Sequence, residues 1–164
     1  MAYPSDFPTS IFISGGQMSQ QDEIAKTKQP EAAALLQEPV LARLATTNPN
    51  TLQPHVVPVW FGWDDDTLYI NAFSSTRKVR DLERNPRCAV LIEPKDESQS
   101  KIQGILLEGT CEIISEQPYV AKKAEWIYVK YLGVEGVKAP DPQSWLTDPE
   151  SRIIKLTPKK VYIW

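Results

Sequence analysis

The sequence predicts a mainly β fold: an antiparallel barrel of six strands with short helices packed outside it. Two observations predict this. Runs alternating between apolar and polar residues recur along most of the chain, the period of a strand with one buried face. Turn-forming residues separate these runs and helical stretches are few, so the strand–helix–strand alternation that builds a parallel sheet is scarce. A length of 164 residues suits one domain with a sizeable core.

The elements follow in order. Residues 1–20 read as an irregular arm, because Pro4, Pro8, Gly15 and Gly16 interrupt them and no period is sustained. Phe7, Ile11, Phe12 and Ile13 make the arm apolar enough to pack on a partner subunit. Residues 21–164 form the folded domain. Pro30 and Glu31 open a short helix, since both residue types are favoured in a first turn, and Pro39 stops it. Residues 40–47 are the first strand and Asn48-Pro49-Asn50 a turn. Residues 55–63 are the second strand, with Val57, Val59, Phe61 and Trp63 on one face and Val56, Pro58 and Trp60 on the other. Pro58 has no N–H to give a ladder, so it marks a strand edge or a bulge. Asp64-Asp65-Asp66 reads as a solvated hairpin turn, because three adjacent carboxylates rarely converge on a metal.

Residues 67–73 and 87–93 are the third and fourth strands. Residues 102–115 form a long fifth, placing Ile105, Leu107, Gly109, Cys111 and Ile113 on one face. A helix begins around Ser115 to Pro118. Its stripe is Val120, Ala124, Ile127, Tyr128 and Tyr131, and Gly133 ends it. A short helix surrounds Trp145. Residues 153–156 and 161–164 supply the final strand pieces.

Charge and composition exclude several classes. A net charge of −3 does not favour nucleic acid or an anionic membrane. No long apolar run precedes the first lysine, Lys26, so neither a secretory signal nor a membrane span is expected. Cys88 and Cys111 lack metal spacing. They could form one bridge, but buried reduced thiols of a cytoplasmic protein are the favoured reading. His55, the single histidine, has no evident Ser/Asp or Cys partner and gives no support to a hydrolytic triad.

The chemistry concentrates where Ser74-Ser75-Thr76 turns into a helix that begins with Arg77 and Lys78. A helix start gathers free backbone N–H groups and the positive end of the dipole, which suits an anion such as phosphate. Cations placed there oppose the dipole, and a bound anion would reverse that penalty. The other reading is a solvated helix start. Ser75 and Thr76 add hydroxyl donors, and the flanking strands supply a flat apolar wall.

Five blocks carry a resemblance to a known family. They are Pro54-His55-Val56-Val57-Pro58-Val59-Trp60, then Leu68-Tyr69-Ile70, then the run from Ser75 to Arg87, then the block from Leu107 to Ile113, and finally the block from Arg152 to Pro158. Together they resemble the pyridoxamine-phosphate-oxidase-like split β-barrel family, over roughly residues 30 to 164. The resemblance implies a two-fold homodimer with FMN, or the deazaflavin F420, in grooves between subunits. It assigns the cofactor phosphate to Arg77 and Lys78. It lays His55, Val56, Val57 and Pro58 along the ribityl chain and ring edge, and puts Asn71 and Ala72 where the third strand meets the cofactor. Gln103 would touch the ring from the partner subunit. Plain core packing is the alternative for Val56, Val57 and Ala72, and a satisfied turn amide for Asn71. Trp60 and Trp164 are candidate walls for a substrate or ring, with barrel packing as the alternative.

No side chain stands out as a general acid or base, as expected where a cofactor carries the redox chemistry. The chain departs from true pyridoxamine-phosphate oxidases, which have a C-terminal Arg-x-His segment. Here the end reads Lys159-Lys160-Val161-Tyr162-Ile163-Trp164. The expectation is therefore an FMN- or F420-dependent oxidoreductase acting on a small planar or conjugated molecule. FMN is preferred as the commoner cofactor, although Arg80, Arg84 and Arg87 would suit the acidic tail of F420. A non-catalytic flavin- or haem-binding module for storage or stress is the second reading.

Overall fold

The computed structural model describes residues 18–164. The chain runs α1 (Gln20–Ala25), α2 (Pro30–Gln37), β1 (Ala42–Thr47), β2 (Pro54–Val59), β3 (Gly62–Asp64) and β4 (Thr67–Phe73). It continues through α3 (Arg77–Arg84), β5 (Arg87–Ile92), β6 (Ile105–Ile114), α4 (Gln117–Gly136), α5 (Pro140–Thr147) and β7 (Ser151–Ile163). The strands form one seven-stranded antiparallel sheet in the order β2-β1-β5-β6-β7-β4-β3.

The seventh strand arises because the segment expected to be one strand over residues 55–63 breaks in two. Phe61 gives its backbone N–H to the Tyr131 hydroxyl, 3.1 Å away, instead of to a neighbouring strand. Gly62 follows at a spot where a Cβ would lie 2.1 Å from the Trp126 ring. This break shapes the molecule. β2 and β3 are the two edges of the sheet, yet only Trp60 and Phe61 separate them in the chain. A sheet whose opposite edges are joined by so short a link must curl, and the barrel is closed by covalent chain where hydrogen bonds are missing.

The final strand pieces join into one long strand, β7. Its pairing with β6 slips by one residue between Glu108 and Gly109, where Gly109 faces Pro158. A Cβ on Gly109 would lie 2.2 Å from the Thr157 carbonyl oxygen, so only glycine fits there. Such a bulge bends the ladder and increases its twist, and it absorbs the proline that has no N–H to offer. The Asp64-Asp65-Asp66 turn is a hairpin as expected, with positive φ at Asp65 and Asp66 of 47° and 58°.

Alternation sets the two faces of the sheet. Leu44, Val90, Leu107 and Val161 are fully buried in the barrel core with Leu68, Ile70 and Leu156. A second cluster forms where α4 lays Val120, Ala124, Ile127 and Tyr128 against Tyr69 and Ile153, the stripe expected from sequence. Gly133 leaves helical geometry at φ 74°, ending the regular part of α4 as expected. The short helix around Trp145 is α5.

The register also defines an outward face over β2, β1, β5, β6 and β7. One row runs Pro58, Arg43, Leu91, Leu106, Tyr162, and the next Val56, Ala45, Ala89, Glu108, Lys160. These residues are exposed or half-buried, with Val56 at 59% and Tyr162 at 45%.

α1 was not expected. Ser19 and Asp22 form a capping box at its start. The helix docks on β7, where the Glu23 carboxylate accepts the Val161 N–H and the Lys26 ammonium donates to the Val161 carbonyl. The irregular arm expected over residues 1–20 lies, up to residue 17, outside the described residues. No helix among the described residues is long and apolar enough to cross a membrane.

Candidate functional site

The start of α3 is built by the end of β4. Thr76 is the extended N-cap residue, but its hydroxyl donates back to the Phe73 carbonyl at 2.7 Å instead of capping the helix. Among the described residues no side chain caps the first-turn N–H groups of α3.

The two cations at this start differ. Arg77 Nε lies 3.4 Å from the carboxylate of Asp81, which is buried and also accepts from the Thr46 hydroxyl at 3.3 Å. The Arg77 guanidinium is thus engaged within its own helix. Lys78 is half-buried, and desolvation pulls its ammonium below the usual lysine range. Among the described residues no carboxylate lies within ion-pair distance of it.

Lys78 lines a cavity of about 260 Å³ with Pro58, Val59 and Trp60 from the β2 end, Asn71 and Phe73 from β4, Tyr128 from α4 and Trp145 from α5. Aromatic packing stiffens its walls. Trp60 stacks on Tyr131 with ring centroids 4.8 Å apart and planes within 6°. Tyr128 meets Trp60 and Trp145 edge-on, at 5.9 and 5.7 Å. Burial pushes the Tyr128 hydroxyl up to about 12, so it stays protonated.

Asn71 is committed to the framework. Its amide N–H groups reach the Ser151 hydroxyl at 2.8 Å and the Arg152 carbonyl at 3.0 Å, and its amide oxygen accepts from Tyr128. One side chain thereby ties β4 to β7 and α4.

Of the residues singled out from sequence, Pro58, Trp60, Asn71 and Lys78 meet at this cavity. Val57 and Ala72 pack in the barrel core. Val56 points to the outward face, and His55 is half-buried on β2 opposite Thr46. Ser75 is exposed, and the hydroxyl of Thr76 is spent on Phe73. Gln103 is exposed just before β6, its N–H bonded to the Trp164 carbonyl, and does not line the cavity. Trp164 is half exposed at the end of β7. Val59, Phe73, Tyr128 and Trp145 were missed as site residues. Tyr128 appeared only as part of a helical stripe, and nothing local says that α4 and α5 fold across the β2 end.

No curated protein matches the chain. Among solved structures, an F420 reductase is similar at 23% identity, covering 79% of this chain and 94% of that one, with a TM-score of 0.63. A conserved hypothetical protein from Mycobacterium tuberculosis is similar at 22% identity, covering 83% of each chain, with a TM-score of 0.69. HutZ, the heme storage protein of Vibrio cholerae, is similar at 16% identity over 82% of this chain and 93% of that one, with a TM-score of 0.65. These likenesses are of fold. The family model for pyridoxamine 5'-phosphate oxidase matches residues 29–164, the curled sheet and the α3 start included, and the chain belongs to that family.

Proposed function

We propose that this protein is a cytoplasmic, homodimeric oxidoreductase that binds FMN, or alternatively F420, and acts on a small planar or conjugated molecule. The observation that carries this reading is Lys78: among the described residues its half-buried ammonium has no carboxylate partner and no side chain caps the amides of its helix start, and it lies inside an aromatic-walled cavity. An anionic group fits that arrangement, because it would restore to the lysine what burial removes and would meet the α3 amides. Lys78 and those amides would hold the phosphate, with Arg77 contributing its exposed side. The bound ring would supply hydride transfer at its N5 position, or at C5 in a deazaflavin. Trp60, held flat by Tyr131, and Pro58 would give ring or substrate a rigid planar wall.

The dimer has its own support. A cavity of about 260 Å³ falls below the roughly 300–1,000 Å³ usual for small-molecule pockets. It is a half-site that a second chain would complete. The outward rows from Pro58 to Tyr162 and from Val56 to Lys160 offer a broad sheet face for a two-fold contact. On this reading Gln103 serves the second subunit's site.

Titrating purified protein with FMN, F420 and riboflavin, followed by absorbance and fluorescence, tests the proposal. Micromolar binding of a phosphorylated cofactor, much weaker binding of riboflavin and a dimer mass by light scattering are expected. Failure of both cofactors to bind would overturn it. Binding without turnover across a broad acceptor panel would favour the non-catalytic module, and a Soret band on adding haemin its haem-binding form.

A further inference from the structure

Cys88 on β5 faces Gly109 on β6, and Cys111 lies two residues further along the same face of β6. Because the residue opposite Cys88 is glycine, no side chain separates the two sulfurs. Their Sγ atoms sit 2.8 Å apart, close enough to share the thiol proton. Both cysteines are free and partly exposed. Cys111 opens onto a groove of about 490 Å³ that also contains Glu83, Ser115 and Arg152. Among the described residues, no third His, Cys, Asp or Glu joins the pair to make a metal-binding group.

We propose that Cys88 and Cys111 form an oxidisable dithiol site that takes a hydroperoxide and closes to an intramolecular disulfide. One sulfur donates an electron pair to a peroxide oxygen. The O–O bond breaks, an alcohol (water, for hydrogen peroxide) leaves, and a sulfenic acid remains. The second sulfur then attacks the first, the S–S bond forms, and the hydroxyl departs as water with the second thiol's proton. Two thiols lose two electrons and one hydroperoxide gains them. The sulfur of Cys88 and burial both push the Cys111 thiol above its ordinary range. The two residues are 23 positions apart, so a bond between them closes a loop holding the whole β5–β6 connection. This site stands independently of the cofactor reading.

The test uses the full chain, reduced and then freed of reductant, exposed to hydrogen peroxide. Titratable thiols should fall from two to none. The intact mass should drop by two hydrogens, and the thermal midpoint should rise by roughly 5–10 °C and return on adding dithiothreitol. Cys88→Ser and Cys111→Ser should each lose the midpoint rise and accumulate a trappable sulfenic acid. Retention of both thiols, oxygen added to the sulfurs without a crosslink, or a disulfide between two chains on a non-reducing gel would each overturn the proposal. The wild-type readouts decide it even if a serine variant fails to fold.

Discussion

The seam beneath α4 and the start of α3 both hold polar groups in partly dry surroundings, and they treat them oppositely. Along the seam Tyr131, Tyr128 and Lys130 each have a partner. Tyr131 donates to the Val40 carbonyl at 2.7 Å and accepts from Phe61. Tyr128 donates to Asn71. Lys130 donates to the Leu36 carbonyl at 3.0 Å, with its ammonium 3.6 Å from the centre of the Phe61 ring. At the start of α3, Lys78 is similarly sunk but has no acidic neighbour among the described residues. Burial alone therefore does not mark a functional lysine. What separates the two is that the Lys130 ammonium has a protein acceptor, the Leu36 carbonyl, whereas among the described residues the Lys78 ammonium has none.

Breaking the seam should cost the most. Asn71→Leu removes three hydrogen bonds and strands the Tyr128 and Ser151 hydroxyls, so it should destabilise the fold by about 2–4 kcal/mol, read from urea unfolding. Lys78→Ala should do the reverse. FMN affinity should fall roughly ten- to a hundredfold while stability changes by only about half a kcal/mol. Unchanged FMN affinity in that variant would move the phosphate site elsewhere. Arg77→Ala sharpens the contrast, because its guanidinium already serves Asp81. It should cost FMN affinity less than Lys78→Ala does, and cost about 1 kcal/mol of stability by leaving the Asp81 carboxylate with Thr46 alone.

A separate effect is a pH dependence. Burial lowers the Lys130 ammonium from 10.5 to about 8, with Glu38 opposing the shift, as the Phe61 ring also should. The unfolded chain then holds more protons than the folded one between those values, so this group makes stability rise with pH across that window. Burial raises Tyr128 and Tyr131 from 10.0 to about 12, so their contribution is full below 10 and is lost as pH climbs toward 12. Thermal melts should show a shallow crest near pH 10. Lys130→Met should flatten the rise and leave the fall.

Much of the fold was legible because its signals are local. Alternation placed the strands, Pro30 opened α2, and Gly133 ended the regular part of α4. The break between β2 and β3 was not legible. Its cause is the Tyr131 hydroxyl, 70 positions from the Phe61 amide it receives. The α1 capping box was legible in Ser19-x-x-Asp22 but lay at the edge of a stretch dominated by proline and glycine. At the site, Lys78 and Pro58 stood out through their own backbone chemistry. Asn71 was open to two readings, a ligand contact or a satisfied amide, because its partners Ser151 and Arg152 are about 80 positions away and invisible to any local pattern.

The long strand β7 has a consequence for how the molecule is made. It pairs with both β6 and β4, joining residues 68–73 to residues 151–156. Contacts so distant in sequence must wait for the chain between them to be ordered, which slows folding. β7 also leaves the ribosome after every strand it pairs with. Until it emerges, the hairpins can form but the barrel cannot close, and Asn71 has neither Ser151 nor Arg152 to hold it. The Lys78 cavity is therefore assembled only after synthesis has passed residue 152, and a nascent chain stalled before that point should gain no protection from a flavin.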